Sequence, residues 1–384
     1  MIMDFSFPFP FLFACPANGR LPDSFSGFSQ LTADFVKAGT DAVCAPTLTA
    51  NRAWLAASAP GNDPETLNAK LMGAVRKAAG NCPAGGLLGP TGMFVPPFGE
   101  DDFDAIYSVY REQVLALKKA GADFLLLDRQ NSLADMRAAL LAARNTGLPV
   151  LICLSVDGSG HTLTGGDFLP ALITLQAMGA SAIGLSGDPE NGILLENIRA
   201  ASAHASAPLV FLADTDSQKT SGQFAEADKP LIQAGVRLFG AGRNTDPEDI
   251  RALKNILKKN GPPKIRKEPD CYAAAIEREA FFLGSDLVFS QPIECTSALE
   301  DDLIDLDDEQ VNTALVKISS IDDAVLLAES SSMTKLPVAV CAENPSVLEA
   351  ALRYFQGRLI VDSRSAIEPE VLEPLTAKYG AILY

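Results

Sequence analysis

The chain has 384 residues, of which 47% are apolar and 21% charged, a balance typical of soluble globular proteins, and its length suits two domains better than one. Its net charge of −17 argues against nucleic acid or an anionic membrane as a partner, because both require a basic surface. No apolar run reaches the ~18–20 residues that a membrane-spanning helix needs.

The first apolar stretch, FPFPFLFAC, ends at Cys15 and superficially resembles a lipoprotein signal. However, no Lys or Arg precedes it, and Pro8 and Pro10 interrupt it. We therefore interpret it as a first β-strand. The seven cysteines are scattered without close pairing, which favours reduced thiols and a cytoplasmic location over a disulfide framework.

Two kinds of short apolar strand alternate through residues 1–260. One kind follows a glycine that ends a helix, and the other is entered through proline or glycine. The ending glycines are Gly39, Gly121, Gly179 and Gly235, and the entry residues are Pro10, Gly85, Pro149 and Pro208. Amphipathic helices separate the strands, for example at residues 105–119, 134–145 and 247–259. Eight such βα units predict a TIM (β/α)8 barrel. A doubly wound sheet is the alternative, but no Gly-x-Gly-x-x-Gly turn follows the first strand.

A segment that interrupts regular secondary structure, NGPPKIRKEP, starts at Asn260 and contains three prolines and several basic residues. It divides the chain into a barrel at residues 1–260, a linker at 261–270 and a smaller α/β domain at 271–384. In the last part we expect strands at 286–290, 314–318, 337–341, 359–362 and 381–384, and helices at 321–329, 346–355 and 369–379. The acidic run at residues 300–309 is interpreted as a solvated loop or helix start rather than a cation site.

The segment AGVRLFGAGRNTDPEDI, residues 234–250, carries the last barrel strand and the loop after it. We expect Thr245 to cap the following helix, with Pro247 and Glu248 in its first turn. The loop resembles the GGCCGT-x-P-x-H-I segment of homocysteine S-methyltransferases, the N-terminal module of cobalamin-dependent methionine synthase. In that family the two adjacent cysteines bind zinc, and here their positions hold Gly242 and Arg243.

The resemblance implies a third zinc-binding cysteine after strand six, within a G-x-N-C loop. This chain has Gly-Leu-Ser-Gly there, with Ser186 at the Asn position and Gly187 at the Cys position. Glycine offers no side chain, and a guanidinium repels a cation. We therefore expect no metal and no bound cofactor, although the family's methyl donor is a corrinoid or S-methylmethionine.

Other landmarks of the family are partly matched. Residues 155–166 (SVDGSGHTLTGG) and 86–92 (GLLGPTG) resemble the loops after strands five and three, and Asp128 stands where the family has a substrate-facing Glu. After strands one, two and seven the family motifs are replaced. Residues 336–365 resemble part of the pterin-binding barrel that follows in methionine synthase, with Cys341-Ala342-Glu343 where that family has an Asp.

The expected substrate-binding candidates all fall after barrel strands, where TIM barrels place their sites. They are Asp128, Ser186, Asp214, Arg243, Asn244 and His161. Arg243 and Asn244, before a helix N-terminus, predict binding of a carboxylate or phosphate. The alternative is that Arg243 pairs with Asp214, Asp216 or Asp246.

Histidine and cysteine candidates remain open at this point. His161 is a general base or ligand, or simply an exposed loop residue, and His204 is interpreted as structural. Cys15 and Cys44 end neighbouring strands, so they form a substitute metal site or act as small buried hydrophobes. Cys153 is assigned to the core.

The resemblance implies methyl transfer to a thiol by a methionine synthase-like protein whose three zinc cysteines are replaced. The alternative is an inactive or repurposed barrel that binds a small anionic metabolite or a corrinoid protein. The expected partners are a small molecule at the barrel mouth and, through the resemblance, a corrinoid protein or a methionine synthase-like complex.

Overall fold

The structure is a computed structural model that describes residues 11–16, 25–215, 219–261, 272–306 and 310–384. Eight parallel strands close into a barrel in consecutive order, with β8 pairing back onto β1. The strands are β1 Phe11–Ala14, β2 Ala42–Ala45, β3 Ala84–Leu88, β4 Phe124–Gln130, β5 Val150–Leu154, β6 Ala182–Gly187, β7 Leu209–Ala213 and β8 Val236–Ala241. The predicted TIM barrel is confirmed.

Ten helices surround these strands within the described residues. They are α1 Phe25–Ala38, α2 Arg52–Ser58, α3 Pro64–Ala79, α4 Phe103–Lys119, α5 Leu133–Ala143, α6 Phe168–Ala177, α7 Gly192–Ser202, α8 Ser221–Ala227, α9 Lys229–Ala234 and α10 Pro247–Asn260. The prediction that Thr245 caps α10 is wrong. Asp246 is the N-cap, because its carboxylate accepts the N–H groups of Glu248 and Asp249 and Asp249 bonds back in a capping box.

The interior of the barrel is filled by aromatic rings that lie against glycines on other strands. A β-carbon on Gly85 would come within 2.4 Å of the Phe124 ring, and one on Gly240 within 2.4 Å of Phe13. Both phenylalanines are essentially inaccessible to solvent. The barrel is therefore a packed core, and a ligand site has to lie at its carboxyl-terminal end.

The C-terminal unit is a five-stranded parallel sheet in consecutive order with helices between its strands. It contains β11 Ile293–Glu294, β12 Ala314–Lys317, β13 Val338–Cys341, β14 Ile360–Val361 and β15 Ile382–Leu383, with α11 Leu299–Asp305, α12 Ile321–Ser330, α13 Pro345–Tyr354 and α14 Pro369–Tyr379. A hairpin of β9 Ala273–Ala275 and β10 Ala280–Phe282 precedes it. The predicted smaller α/β domain is confirmed, and the start of the acidic run lies in α11.

The strand predicted at residues 286–290 is wrong. Only Phe289 forms an isolated bridge there, to Thr313. The side chain of Asn312 takes the neighbouring backbone groups instead, since its oxygen accepts the Val288 N–H at 2.7 Å and its amide donates to the Asp286 carbonyl at 2.8 Å. The first strand of this sheet is the two-residue β11, which is too short for a sequence pattern to reveal.

The two units pack through the outer helices of the barrel. Arg137 of α5 is 1% exposed and donates to the carbonyls of Leu352 and Arg353, at 2.6 and 3.0 Å. Phe103 meets Tyr354 edge-to-face at 6.5 Å. Every residue of α5 is buried.

The proposed boundaries at 260 and 270 stay predictions, because most of the predicted linker lies outside the described residues. Among the described helices, none is long and apolar enough to cross a membrane.

Candidate ligand-binding site at the barrel mouth

Charged side chains from three strands meet at the carboxyl-terminal end of the barrel. Asp128 and Arg129 belong to β4, Asp214 directly follows β7, and Arg243 follows β8. With Ser186 on β6, these five residues are called the mouth site below. Parallel strands bring their carboxyl ends to one edge, so residues distant in sequence become neighbours here.

A single guanidinium bridges two carboxylates of the mouth site. Arg129 donates from Nη1 to Asp214 Oδ2 at 3.1 Å and from Nη2 to Asp214 Oδ1 at 3.3 Å. Its Nε lies 3.3 Å from Asp128 Oδ2. The side chains of Arg129 and Asp214 are 18% and 19% exposed, which leaves the pair only partly screened by water. This bidentate geometry is the one that a planar guanidinium forms best.

Arg129 was not among the residues singled out from the sequence. Its φ is +57°, a left-handed conformation uncommon for residues other than glycine, which marks a backbone constrained by its surroundings. The sequence does contain one signal that could have identified Arg129, which is its position. It stands next to Asp128 near the end of the otherwise apolar strand FLLLDRQ, where charge is expected only if it is paired or functional.

Asp128 is 3% exposed, and its Oδ1 has no hydrogen-bond partner among the described residues. Burial raises the pKa of this carboxyl to about 6, and the positive charge of Arg129 opposes the rise. Near neutral pH the group can therefore both accept and release a proton.

Asp214 occupies the space beside Gly242. It accepts the backbone N–H of Arg243 at 2.6 Å through Oδ1. A β-carbon on Gly242 would lie 2.4 Å from that same oxygen and 2.8 Å from the carbonyl oxygen of Ala213. Position 242 therefore has to be glycine as long as Asp214 keeps this place.

The Arg243 side chain is exposed, and its guanidinium forms no ion pair within the described ranges. The expected pairing with Asp214 is found only through the Arg243 backbone, and Asp216 lies outside the described residues. Asn244 is also exposed, has φ +61° and donates from Nδ2 to the Thr215 carbonyl at 3.3 Å.

Residues 184–187 were expected to form a loop, and that expectation is wrong. They belong to β6, which runs to Gly187, because their backbones pair with β7 up to Ala213. Ser186 is 6% exposed and its hydroxyl donates to the Leu154 carbonyl at 3.3 Å. A β-carbon on Gly187 would meet the side chain of Leu194 at 2.8 Å.

His161 bonds within its own loop rather than to the mouth site. Its Nδ1 lies 2.5 Å from Asp167 Oδ1, and its N–H donates to Asp157 at 3.1 Å. The His161 side chain is 48% exposed. His204, near the end of α7, stacks on Phe282 with 4.3 Å between ring centroids, in keeping with a structural role.

Three thiols line the barrel interior below the mouth site. Cys15, Cys44 and Cys153 all belong to one buried cluster. Contact with Cys44 and burial together raise the pKa of Cys15 well above its usual value. Across the described parts of the chain, no group of three or more His, Cys, Asp or Glu residues is placed to hold a metal ion.

Comparisons with known proteins agree with the resemblance seen in the sequence. The family model described as homocysteine S-methyltransferase matches residues 25–257. The chain is 23% identical over 326 residues to methionine synthase of Mycobacterium leprae, covering 72% of this chain and 27% of that protein. It is also 23% identical over 345 residues to methionine synthase of Mycobacterium tuberculosis, covering 78% and 28%. The chain thus spans little more than a quarter of these relatives.

The fold is also shared with a solved structure. The homocysteine methyltransferase MmuM from Escherichia coli superposes with a TM-score of 0.53 in its apo form, at 20% identity, covering 65% of this chain and 96% of that one. Its metallated form gives a TM-score of 0.54 at 21% identity, covering 64% and 95%. Since the family model matches well over half of its residues, the chain belongs to the homocysteine S-methyltransferase family.

Proposed function

We propose that this member of the family is a repurposed barrel whose mouth site binds a small carboxylate or phosphate anion, without zinc-dependent methyl transfer to a thiol. The observation that carries the proposal is the place of Asp214. Its carboxylate fills the space that a side chain at position 242 would need, and Arg129 holds it there through two hydrogen bonds.

The residues at the three zinc positions do not fit a zinc ion. Zinc in proteins takes Cys, His, Asp or Glu donors, whereas positions 187 and 242 are glycine and position 243 carries a positive charge. Asp214 cannot substitute readily, because both of its oxygens are already bound by Arg129 and one also accepts the Arg243 N–H.

Arg243 supplies the attraction for an anion. Arg129 is shared by Asp128 and Asp214, while the exposed guanidinium of Arg243 is not paired with any described carboxylate. The first amides of α10 contribute little, because Asp246 already accepts those of Glu248 and Asp249. Asp128, with one unbonded oxygen, can then bond a hydroxyl or amine of the same ligand.

The test measures binding of acetate, succinate and inorganic phosphate to the purified chain by calorimetry. For a probe that binds, Arg243→Ala should weaken binding by about 1.5–3 kcal/mol, the range for hydrogen bonds to charged groups, or roughly 10–150-fold. Arg251→Ala is the matched control, because Arg251 is an exposed arginine of α10 that pairs with Glu248. The proposal would be refuted if the two substitutions weakened binding equally, or if neither changed the affinity.

Metal content provides an independent test. Elemental analysis of the purified chain should show no stoichiometric zinc, because the three family positions offer no donor. About one zinc per chain that survives dialysis would overturn the proposal and direct attention to Cys15, Cys44 and His161.

The second candidate is methyl transfer to homocysteine, which family membership alone favours. Without a metal, a thiol with a pKa of ~8.5 is only a few per cent thiolate at neutral pH. We expect no methionine from homocysteine with S-methylmethionine or methylcobalamin, and turnover abolished by a chelator would favour this candidate. A methionine synthase-like complex is the partner expected under this candidate, whereas a corrinoid protein is also a partner that a repurposed barrel could bind.

A further inference from the structure

Cys15 and Cys44 are neighbours across two adjacent parallel strands. Ala14 of β1 is in register with Val43 of β2, so the next residues along, Cys15 and Cys44, face each other. Cys15 continues the pairing of β1, since its N–H donates to the Ala241 carbonyl at 3.2 Å. Both thiols are free, and they lie close enough for Cys44 to raise the pKa of Cys15. Neighbouring strands lie ~4.8 Å apart, within the ~4.4–6.8 Å between α-carbons that a disulfide spans.

The two thiols differ in how an oxidant can reach them. Cys15 follows the last residue of β1, at the mouth end, and is 5% exposed, whereas Cys44 lies within β2 and is 0% exposed. Cys153 belongs to the same cluster, but it lies on β5, on the far side of the barrel wall from β1 and β2. Cys15 is therefore the first point of attack, and Cys44 is the nearest of the described thiols to resolve it.

We propose that Cys15 and Cys44 form a modification site, at which a hydroperoxide converts the two thiols into an intrachain disulfide across β1 and β2. The Cys15 sulfur attacks one oxygen of hydrogen peroxide, the O–O bond breaks, and a sulfenic acid and water form. The Cys44 sulfur then attacks the sulfenic sulfur, the hydroxide leaves with the thiol proton, and a second water forms. Two thiols are oxidised and one peroxide is reduced to two waters.

The burial of the pair shapes its reactivity. Because the thiolate is the nucleophile, and burial raises the pKa of Cys15, the attack by Cys15 should be slower than at an activated cysteine and should accelerate as pH rises. The same burial shields the product from exchange with other thiols, and the position of Cys44 opposite Cys15 favours the disulfide over further oxidation. The proposal does not depend on what the mouth site binds.

The experiment exposes the folded full-length chain to hydrogen peroxide, blocks remaining thiols with N-ethylmaleimide under denaturing conditions, and maps the peptides by mass spectrometry. The expected result is one cross-linked pair containing Cys15 and Cys44, two hydrogens lighter than the reduced peptides, with a yield several-fold higher at pH 9 than at pH 7. Dithiothreitol should restore both thiols.

Two variants separate this pair from general oxidation. Cys15→Ala should abolish the cross-link and leave Cys44 alkylated, whereas the matched control Cys153→Ala should retain it. The wild-type map does not depend on whether either variant folds. Two results would overturn the proposal. One is recovery of Cys15 and Cys44 as alkylated thiols under conditions that oxidise the half-buried Cys82, Cys295 and Cys341. The other is a cross-link from Cys15 to any cysteine except Cys44.

Discussion

Substituting Gly242 by alanine tests whether Asp214 truly fills the space at position 242. The new methyl group would lie 2.4 Å from Asp214 Oδ1 and 2.8 Å from the Ala213 carbonyl oxygen, which is closer than such atoms can approach. Asp214 must then leave the two hydrogen bonds from Arg129 and the one from the Arg243 N–H. Each such bond contributes about 1.5–3 kcal/mol when a charged group takes part.

Solvent screening reduces that sum, because Arg129 and Asp214 are about one-fifth exposed. We therefore expect Gly242→Ala to lower the free energy of unfolding by about 2–4 kcal/mol. Urea unfolding followed by far-ultraviolet circular dichroism measures it. Gly73→Ala is the control, since Gly73 lies inside α3 with nothing within 4 Å of a new methyl group. That substitution should stabilise the chain by up to ~1 kcal/mol.

A double substitution identifies the cause. If displacement of Asp214 is what destabilises Gly242→Ala, the same change should have a much smaller effect in an Asp214→Ala background, with a remainder from the Ala213 carbonyl. Full additivity of the two changes would refute the reasoning, and so would a Gly242→Ala chain as stable as the Gly73→Ala control.

Two further substitutions test the buried side chains of Asp128 and Arg137. Because the pKa of Asp128 is raised to about 6, the folded state favours its protonated form, and this preference is lost as pH rises from ~4 to ~7. The stability of Asp128→Asn relative to wild type should therefore increase by about 2 kcal/mol between pH 4.5 and 7.5 in urea unfolding, and a change below ~1 kcal/mol would contradict this. Arg137→Met should cost about 2–3 kcal/mol and speed hydrogen exchange at the end of α13, because the Leu352 and Arg353 carbonyls lose their donor. Arg144→Met is the control, because Arg144 donates to the Lys378 and Ala377 carbonyls at an exposed position. It should lower the free energy of unfolding by less than ~1 kcal/mol.

The barrel could be predicted because the residues that end its helices and begin its strands form local sequence patterns. Gly235, for example, ends α9 with φ +115° and a strand follows at once, as the sequence pattern indicates. The predictions for Thr245 and for residues 286–290 were wrong because a polar side chain nearby hydrogen-bonds the backbone groups there. Asp246 outcompetes Thr245 for the first amides of α10, and Asn312 takes the groups that a strand would have paired.

The mouth site was only partly predictable, because its central contact is not local. Asp128, Asp214 and Arg243 were found from their places after strands. Arg129 was missed, because its partner Asp214 lies 85 positions further along the chain and its left-handed backbone has no sequence signature. A pairing of this kind becomes visible only when the strand order and register of the barrel are known.

The complete burial of α5 has a consequence for how the chain can be divided. An outer helix of a free-standing barrel turns one face to water, but Leu133–Ala143 has no such face, because the C-terminal unit covers it and Arg137 ties it to α13. A fragment ending at Asn260 would present a surface of alanine and leucine to solvent. Such a fragment should self-associate rather than remain monomeric. We therefore expect that the barrel and the C-terminal unit are not independently soluble.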